Sequence, residues 1–134
     1  MTRFRYRAER SPLGRITRPI ATVFISSGSV RVKLAMYIDS GADISMIPFR
    51  FGKAIGLRQT PRDTLREIGG ISGGAVPYLL KRVDLGIGRM QFPVRIAWAL
   101  IEEVPLLLGR MDVFSRFRIL FDERRSFVEF EDAG

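Results

Sequence analysis

Met36-Tyr37-Ile38-Asp39-Ser40-Gly41-Ala42-Asp43 runs from apolar residues straight into an acid, a small hydroxyl residue, a glycine and an alanine. Just upstream, Val30 to Ile38 alternates, with Val30, Val32, Leu34 and Met36 on one side against Arg31, Lys33, Ala35 and Tyr37. That period of two predicts a half-buried strand. A second strand is expected from Arg18 to Ser27, and Ser27-Gly28-Ser29 reads as the tight turn of a hairpin. The hairpin delivers its second strand directly to Asp39. Taken alone, Asp-Ser-Gly is most often a strand-ending turn, because Asp and Ser bond nearby backbone and Gly permits positive φ.

Working outward, Pro48 can open a helix, and Phe49, Phe51, Ala54, Ile55 and Leu57 give it a rough apolar stripe that Gly56 helps to end. A polar stretch from Arg58 to Arg66 leads into the glycine-rich run Ile68-Gly69-Gly70-Ile71-Ser72-Gly73-Gly74. Strand-like residues return at Val76 to Leu85, and Gly86-Ile87-Gly88 turns into a further strand from Met90 to Leu100. The last third predicts a strand at Val104 to Leu108, a break at Gly109 and a short helix from Arg110 to about Ser115. Strands at Phe117 to Phe121 and Ser126 to Phe130 then close the chain. The expected class is all-β with one or two short helices. We expect a basic N-terminal arm over residues 1–18 and a single domain over residues 19–134.

Composition narrows the chemistry. Hydrophobic residues make up 46% and charged residues 27% of the 134, a balance that folds. The absence of cysteine excludes disulfides, thiol nucleophiles and thiolate metal sites. The absence of histidine excludes Ser-His-Asp hydrolysis and imidazole metal sites. Acid–base chemistry without a cofactor then falls to carboxylates, as in aspartic proteases and glycosidases. The formal charge is +8, and residues 1–18 hold six arginines (Arg3, Arg5, Arg7, Arg10, Arg15 and Arg18) against Glu9 alone. Such an arm could touch nucleic acid or an acidic partner, but a solvated tail or a basic edge strand is the plainer reading. No apolar run reaches the ~20 residues that span a bilayer. The N-terminus lacks the apolar core of a secretory signal, so the expected location is the cytoplasm.

The sequence resembles the retropepsins, the retroviral aspartic proteases and their cellular relatives, from about residue 20 to residue 130. The shared order is an apolar pair before Asp39-Ser40-Gly41-Ala42-Asp43, then a glycine-rich tip, then three leucines followed by Gly109-Arg110. The resemblance implies a closed β-barrel protomer with a flap hairpin, acting as a symmetric homodimer. It implies that Asp39 is catalytic, that the Ser40 hydroxyl links the two active-site loops, and that Gly41 lets backbone approach the substrate. Ala42 completes the loop, and Asp43 with Arg110 is implied to form an ion pair beneath it. Ile68, Gly69, Gly70, Ile71, Ser72 and Gly73 fall on the flap. Leu107 and Leu108, with Ile68 and Ile71, are candidates for apolar pocket walls, although core packing is the stronger reading for Leu108 and an equal one for Leu107. Ile44 departs from the second acid of many viral enzymes and implies a more apolar subsite. Viral dimers are sewn together by their terminal strands, an arrangement the longer N-terminus here leaves open.

Hydrolysis of this kind needs two carboxyl groups around one water, one as base and one as acid. A single Asp-Ser-Gly in 134 residues therefore calls for a twofold dimer in which Asp39 meets its symmetry mate. Two such charges ~3 Å apart at an effective dielectric of about 20 repel by roughly 5 kcal/mol, so the pair is expected to share one proton. No cofactor is called for. The expected partners are a second copy and an extended peptide or protein substrate, not a membrane or nucleic acid. Rival readings are a retropepsin-like domain that binds peptides or dimerises without cutting, and a basic β-barrel that binds nucleic acid. A glycosidase is the weakest, because Glu102 and Glu103 are adjacent and would point to opposite faces of a strand.

Overall fold

Alternation of apolar and polar residues builds most of this molecule. The computed structural model describes residues 1–69 and 74–134. β4 (Ile20–Ser27) and β5 (Val30–Ile38) form the expected hairpin, paired from Ser27↔Val30 to Ile20↔Tyr37, with Gly28 at φ +77° in its turn. On β5 the residues Leu34, Met36 and Ile38 are buried while Arg31 and Lys33 face water. β8 (Ala75–Ile87) and β9 (Met90–Ala99) make a longer hairpin, which buries Leu79, Val83, Leu85 and Ile87 against Phe92, Val94, Ile96 and Trp98.

Two short strands complete the ring. β6 (Ser45–Ile47) runs parallel to β9, and β10 (Leu107–Leu108) lies between β5 and β6, parallel to the first and antiparallel to the second. β8 reaches back to β4 at Phe24↔Gly86, Ile25↔Leu85 and Ser26↔Asp84. The hydrogen-bonded order β4-β5-β10-β6-β9-β8 thus returns to β4, a closed six-stranded barrel. Closure leaves these strands without free edges and their inward side chains without water. β7 (Arg66–Gly69) adds outside β8, in register Ile68↔Val76 and Gly69↔Ala75. The all-β, retropepsin-like class expected from the sequence is the one observed.

α1 (Phe49–Ala54) follows Pro48 as expected and ends where Gly56 adopts φ +88°. It packs through Gly52, whose missing side chain admits the Trp98 ring; the Trp98 indole N–H donates to the Phe49 carbonyl at 3.0 Å. Phe49 stacks on Trp98 with centroids 5.3 Å apart.

A separate three-stranded sheet joins the termini, with β12 (Phe127–Asp132) between β1 (Thr2–Arg5) and β11 (Phe117–Asp122). β2 (Arg7–Ser11) and β3 (Gly14–Arg18) form a two-stranded hairpin between that sheet and the barrel strand β4.

Two sequence expectations need correction. The strand expected over Val104 to Leu108 shrinks to Leu107–Leu108. Val104 spends its N–H on Glu102, and Pro105 has none to donate. The helix expected from Arg110 to Ser115 is instead a turn leading to a single 3-10 turn, Phe114–Arg116. Asp112 breaks the helix with φ +64°, a left-handed conformation that the surroundings hold in place. Its carboxylate accepts from the Arg95 N–H at 2.9 Å and from the guanidinium at 2.8 and 2.9 Å. That fork holds the Asp112 carboxyl down at about 2.

Candidate active site

The end of β5 carries Asp39 because the strand is clamped on both sides as it leaves the barrel. Ile38 donates to the Pro19 carbonyl at 3.0 Å, and the Asp39 N–H donates to the Leu108 carbonyl at 3.0 Å. The chain then turns sharply. Asp39 Oδ1 accepts the Gly41 N–H at 2.9 Å, and the Asp39 carbonyl accepts the Ala42 N–H at 3.2 Å. This is the local side-chain-to-backbone bonding that Asp favours at turns. It leaves Asp39 half-buried with Ser40 and Gly41 exposed beside it.

The loop is held from beneath by residues 109–111. Arg110 donates its N–H to the Ala42 carbonyl and Met111 to the Asp43 carbonyl, each at 2.9 Å. The Gly109 N–H donates to Ser45 Oγ at 2.9 Å, within the buried interior. Gly109 is required by space. A Cβ there would sit 2.5 Å from the Ile44 backbone and 2.9 Å from the Ala42 carbonyl oxygen. Ser45 is the buried polar side chain of this region, and Gly109 satisfies it.

Asp43 and Arg110 are therefore neighbours, but through their backbones. Both side chains are exposed, and among the described residues they form no ion pair. The ion pair that the resemblance implies is absent within the single chain. The reason is geometric: the contacts that fix the two segments are main-chain hydrogen bonds, which do not require the side chains to meet.

Two depressions flank the Asp39 loop and share Leu107 as a wall. One, of about 460 Å³, is lined by Gly41, Ala42, Asp43, Ile44, Met46, Leu107 and Met111 from the loop side and by Arg66, Ile68, Tyr78 and Leu80 from the β7–β8 hairpin. Its floor is a second apolar cluster on the outer face of β9, where Met46, Ala97 and Ala99 pack against Ile44, Ile68, Val76, Tyr78, Val104 and Leu107. The other, of about 470 Å³, contains Asp39 itself with Glu9, Arg18, Pro19, Tyr37, Ile38, Pro105 and Leu107. Gly41, Ala42, Asp43 and Ile68 thus line one depression and Asp39 the adjoining one, with Leu107 common to both. Leu108 is fully buried in the core. Gly69 is exposed at the end of β7. The flap residues Gly70, Ile71, Ser72 and Gly73 lie outside the described residues.

Sequence reasoning missed Glu9, Arg18 and Tyr37 beside Asp39. The Tyr37 hydroxyl donates to Glu9 Oε1, and Arg18 Nε reaches Glu9 Oε2 at 3.1 Å. The hydrogen bond to the Glu9 carboxylate, reinforced by burial, raises the Tyr37 pKa. The available signal was that Glu9 is the lone acid among the six arginines of residues 1–18. Arg66 and Tyr78 were also missed; they are cross-strand partners, Arg66↔Tyr78, at the base of the β7–β8 hairpin.

Among the described residues, no group of three or more His, Cys, Asp or Glu could hold a metal ion. No protein-family model matches the chain. No curated protein matches it in sequence. Among solved structures, the chain is similar to the EIAV protease complexed with the inhibitor HBY-793, at 25% identity and a TM-score of 0.57. The match covers 73% of this chain and 86% of that one. The fold of the chain is retropepsin-like.

Proposed function

We propose that the chain is one half of a homodimeric aspartic endopeptidase, each subunit supplying Asp39. The observation that carries this reading is the Asp39 turn itself. A half-buried carboxylate is held by Leu108 and Gly41 in a depression that shares its Leu107 wall with a second one, whose floor is apolar and whose far side is the β7–β8 hairpin. The likeness to a retroviral protease supports it.

In the proposed reaction, Asp39 of one subunit and Asp39 of its partner hold one water between them. The unprotonated carboxylate takes a proton from that water as its oxygen attacks the peptide carbonyl. The protonated carboxyl donates to the carbonyl oxygen. Collapse of the tetrahedral intermediate breaks the C–N bond, and a proton passes to the leaving amine. Ser40, exposed at the same edge, would bond across the twofold axis. The substrate would lie extended along the groove, with an apolar side chain against Ile44, Met46, Ile68 and Leu107. The β7–β8 hairpin would serve as the flap.

The test is to incubate the purified protein with a diverse peptide pool from acidic to neutral pH, beside Asp39→Asn. Cleavage by the wild type that the variant loses supports the mechanism; equal cleavage by both removes it. The absent Asp43–Arg110 ion pair favours one second reading, a peptide-binding or dimerising domain that does not cut. That reading stands if the wild type binds peptides and cleaves none.

A further inference from the structure

Among the described residues the terminal sheet has two free edges, β1 and β11, since β12 between them is the strand paired on both sides. An edge strand turns every second residue's N–H and C=O away from its neighbour, which makes it a template for another strand. Ala133 donates to the Arg116 carbonyl and Tyr6 to the Ser126 carbonyl, each at 2.9 Å. These bonds set the alternation of the two ladders. Arg118, Leu120 and Asp122 bond β12, so the main-chain groups of Ile119 and Phe121 face outward. On β1 the outward pair is Arg3 and Arg5.

The two edges are therefore not equivalent. Any pairing of β1 with itself sets arginine opposite arginine, and charge of this kind is how edges are protected. β11 carries no such guard. Leu120 is 53% exposed and Phe121 beside it 38% exposed. Among the described residues, no main-chain bond from outside the sheet reaches Ile119 or Phe121.

We propose that β11 pairs edge to edge with β11 of a second copy of this chain, antiparallel, with Ile119 opposite the partner's Phe121. The proposal rests on the aspartate-dyad reading for its occupant, because that reading calls for a second copy related by a twofold axis. The register is self-complementary. Leu120 meets the partner's Leu120 on the axis, and Arg118 lies opposite the partner's Asp122 on either side of it. Arg118 is free to reach across, being 68% exposed and only 3.6 Å from Glu131. Asp122 is held by Arg125, and a carboxylate can accept from two cations. The neighbouring registers fail. Ile119 opposite itself needs the Phe117 N–H, which is spent on the Phe114 carbonyl. Phe121 opposite itself sets Arg118 against Arg124. The axis stands perpendicular to the sheet, so the faces that carry Phe117, Ile119, Val128 and Phe130 into each core stay on one side of a continuous six-stranded sheet. β11 also follows directly on residues 109–116, whose first members hold the Asp39 loop.

The test is sedimentation equilibrium of the full chain, on wild type, Arg118→Asp, Asp122→Arg, Leu120→Lys and an equimolar mixture of Arg118→Asp with Asp122→Arg; circular dichroism checks each fold. Either charge reversal alone sets two like-charge pairs across the axis, so the dimer Kd should rise roughly tenfold or more. In the mixture the two variants complement each other, and association should return toward the wild-type value. Leu120→Lys brings like charges together at the axis but faces Glu129 within its own chain, so it should weaken the dimer and spare the fold. It decides the matter should Asp122→Arg disturb the turn that Asp122 caps. A wild-type Kd in all three variants, or a mixture of folded variants no tighter than its components, overturns the β11 seam; if Asp39-dependent cleavage persists, the dyad reading survives without it. The expected shifts without Asp39-dependent cleavage keep the seam and remove the dyad. A wild type that stays monomeric at every concentration overturns both.

Discussion

Replacing Gly109 with alanine tests the scaffold beneath Asp39 with a single methyl group. The added Cβ would lie 2.5 Å from both the carbonyl carbon and the oxygen of Ile44, and 2.9 Å from the Ala42 oxygen. Comfortable carbon contacts begin at about 3.5 Å, so the two segments must part by roughly 1 Å. The atoms struck are backbone, and no rotamer change relieves them. Overpacking of this kind costs about 1–3 kcal/mol. The displacement also strains three hydrogen bonds of 2.9 Å: Gly109 to Ser45, Arg110 to Ala42, and Met111 to Asp43. At about 1 kcal/mol each, partial loss brings the expected total to roughly 3–5 kcal/mol. Urea unfolding of Gly109→Ala beside wild type measures this directly. Gly41→Ala is the control, because its Cβ meets only the Asp39 Oδ1 atom, at 3.2 Å, and a side chain can yield. It should leave stability within about 1 kcal/mol of wild type while shifting the carboxylate and lowering peptide cleavage. A Gly109→Ala protein as stable as wild type would refute the claim that the two segments are in rigid contact.

Two further perturbations probe the frame around the groove. Gly52→Ala drives a Cβ to 2.1 Å from Trp98 Nε1 and must displace the ring from Phe49. Even with up to ~1 kcal/mol returned by better helix propensity, a loss of about 2–3 kcal/mol is expected, with a red shift in fluorescence from the one tryptophan; an unshifted spectrum with unchanged stability would contradict the packing. Asp112 falls from 3.8 to about 2 in the folded chain, so its stabilisation is complete above pH 3.8 and disappears as pH falls through 2. Because Arg95 is 45% exposed, screening reduces the expected contribution to about 1 kcal/mol. The stability gap between wild type and Asp112→Asn should therefore be present at pH 7 and close near pH 2; an equal gap at both would show that the hydrogen bonds act without the charge.

The sequence by itself determined the all-β class, the first hairpin and the place of Asp39 at the end of a strand. Period-two alternation from Val32 to Ile38 and from Val83 to Ile87 is a local property, and burial follows it there, while Val30 beside the turn is exposed. Turn chemistry at Gly28 and the helix stop at Gly56 are local in the same sense, since each depends on backbone freedom at one position. Tertiary structure decided what alternation does not encode. Asp112 reads as an ordinary helix residue until Arg95, from another strand, takes its carboxylate and holds the backbone at positive φ. Asp43 and Arg110 carry opposite charges in the sequence, yet main-chain bonds join their segments and leave the side chains apart. Glu9 comes beside Asp39 because β4 and β5 pair through eight residues of register, so the entry to one strand and the exit of the other lie together. Contacts between residues distant in the chain depend on how whole elements pack, and no window of neighbouring residues contains that information.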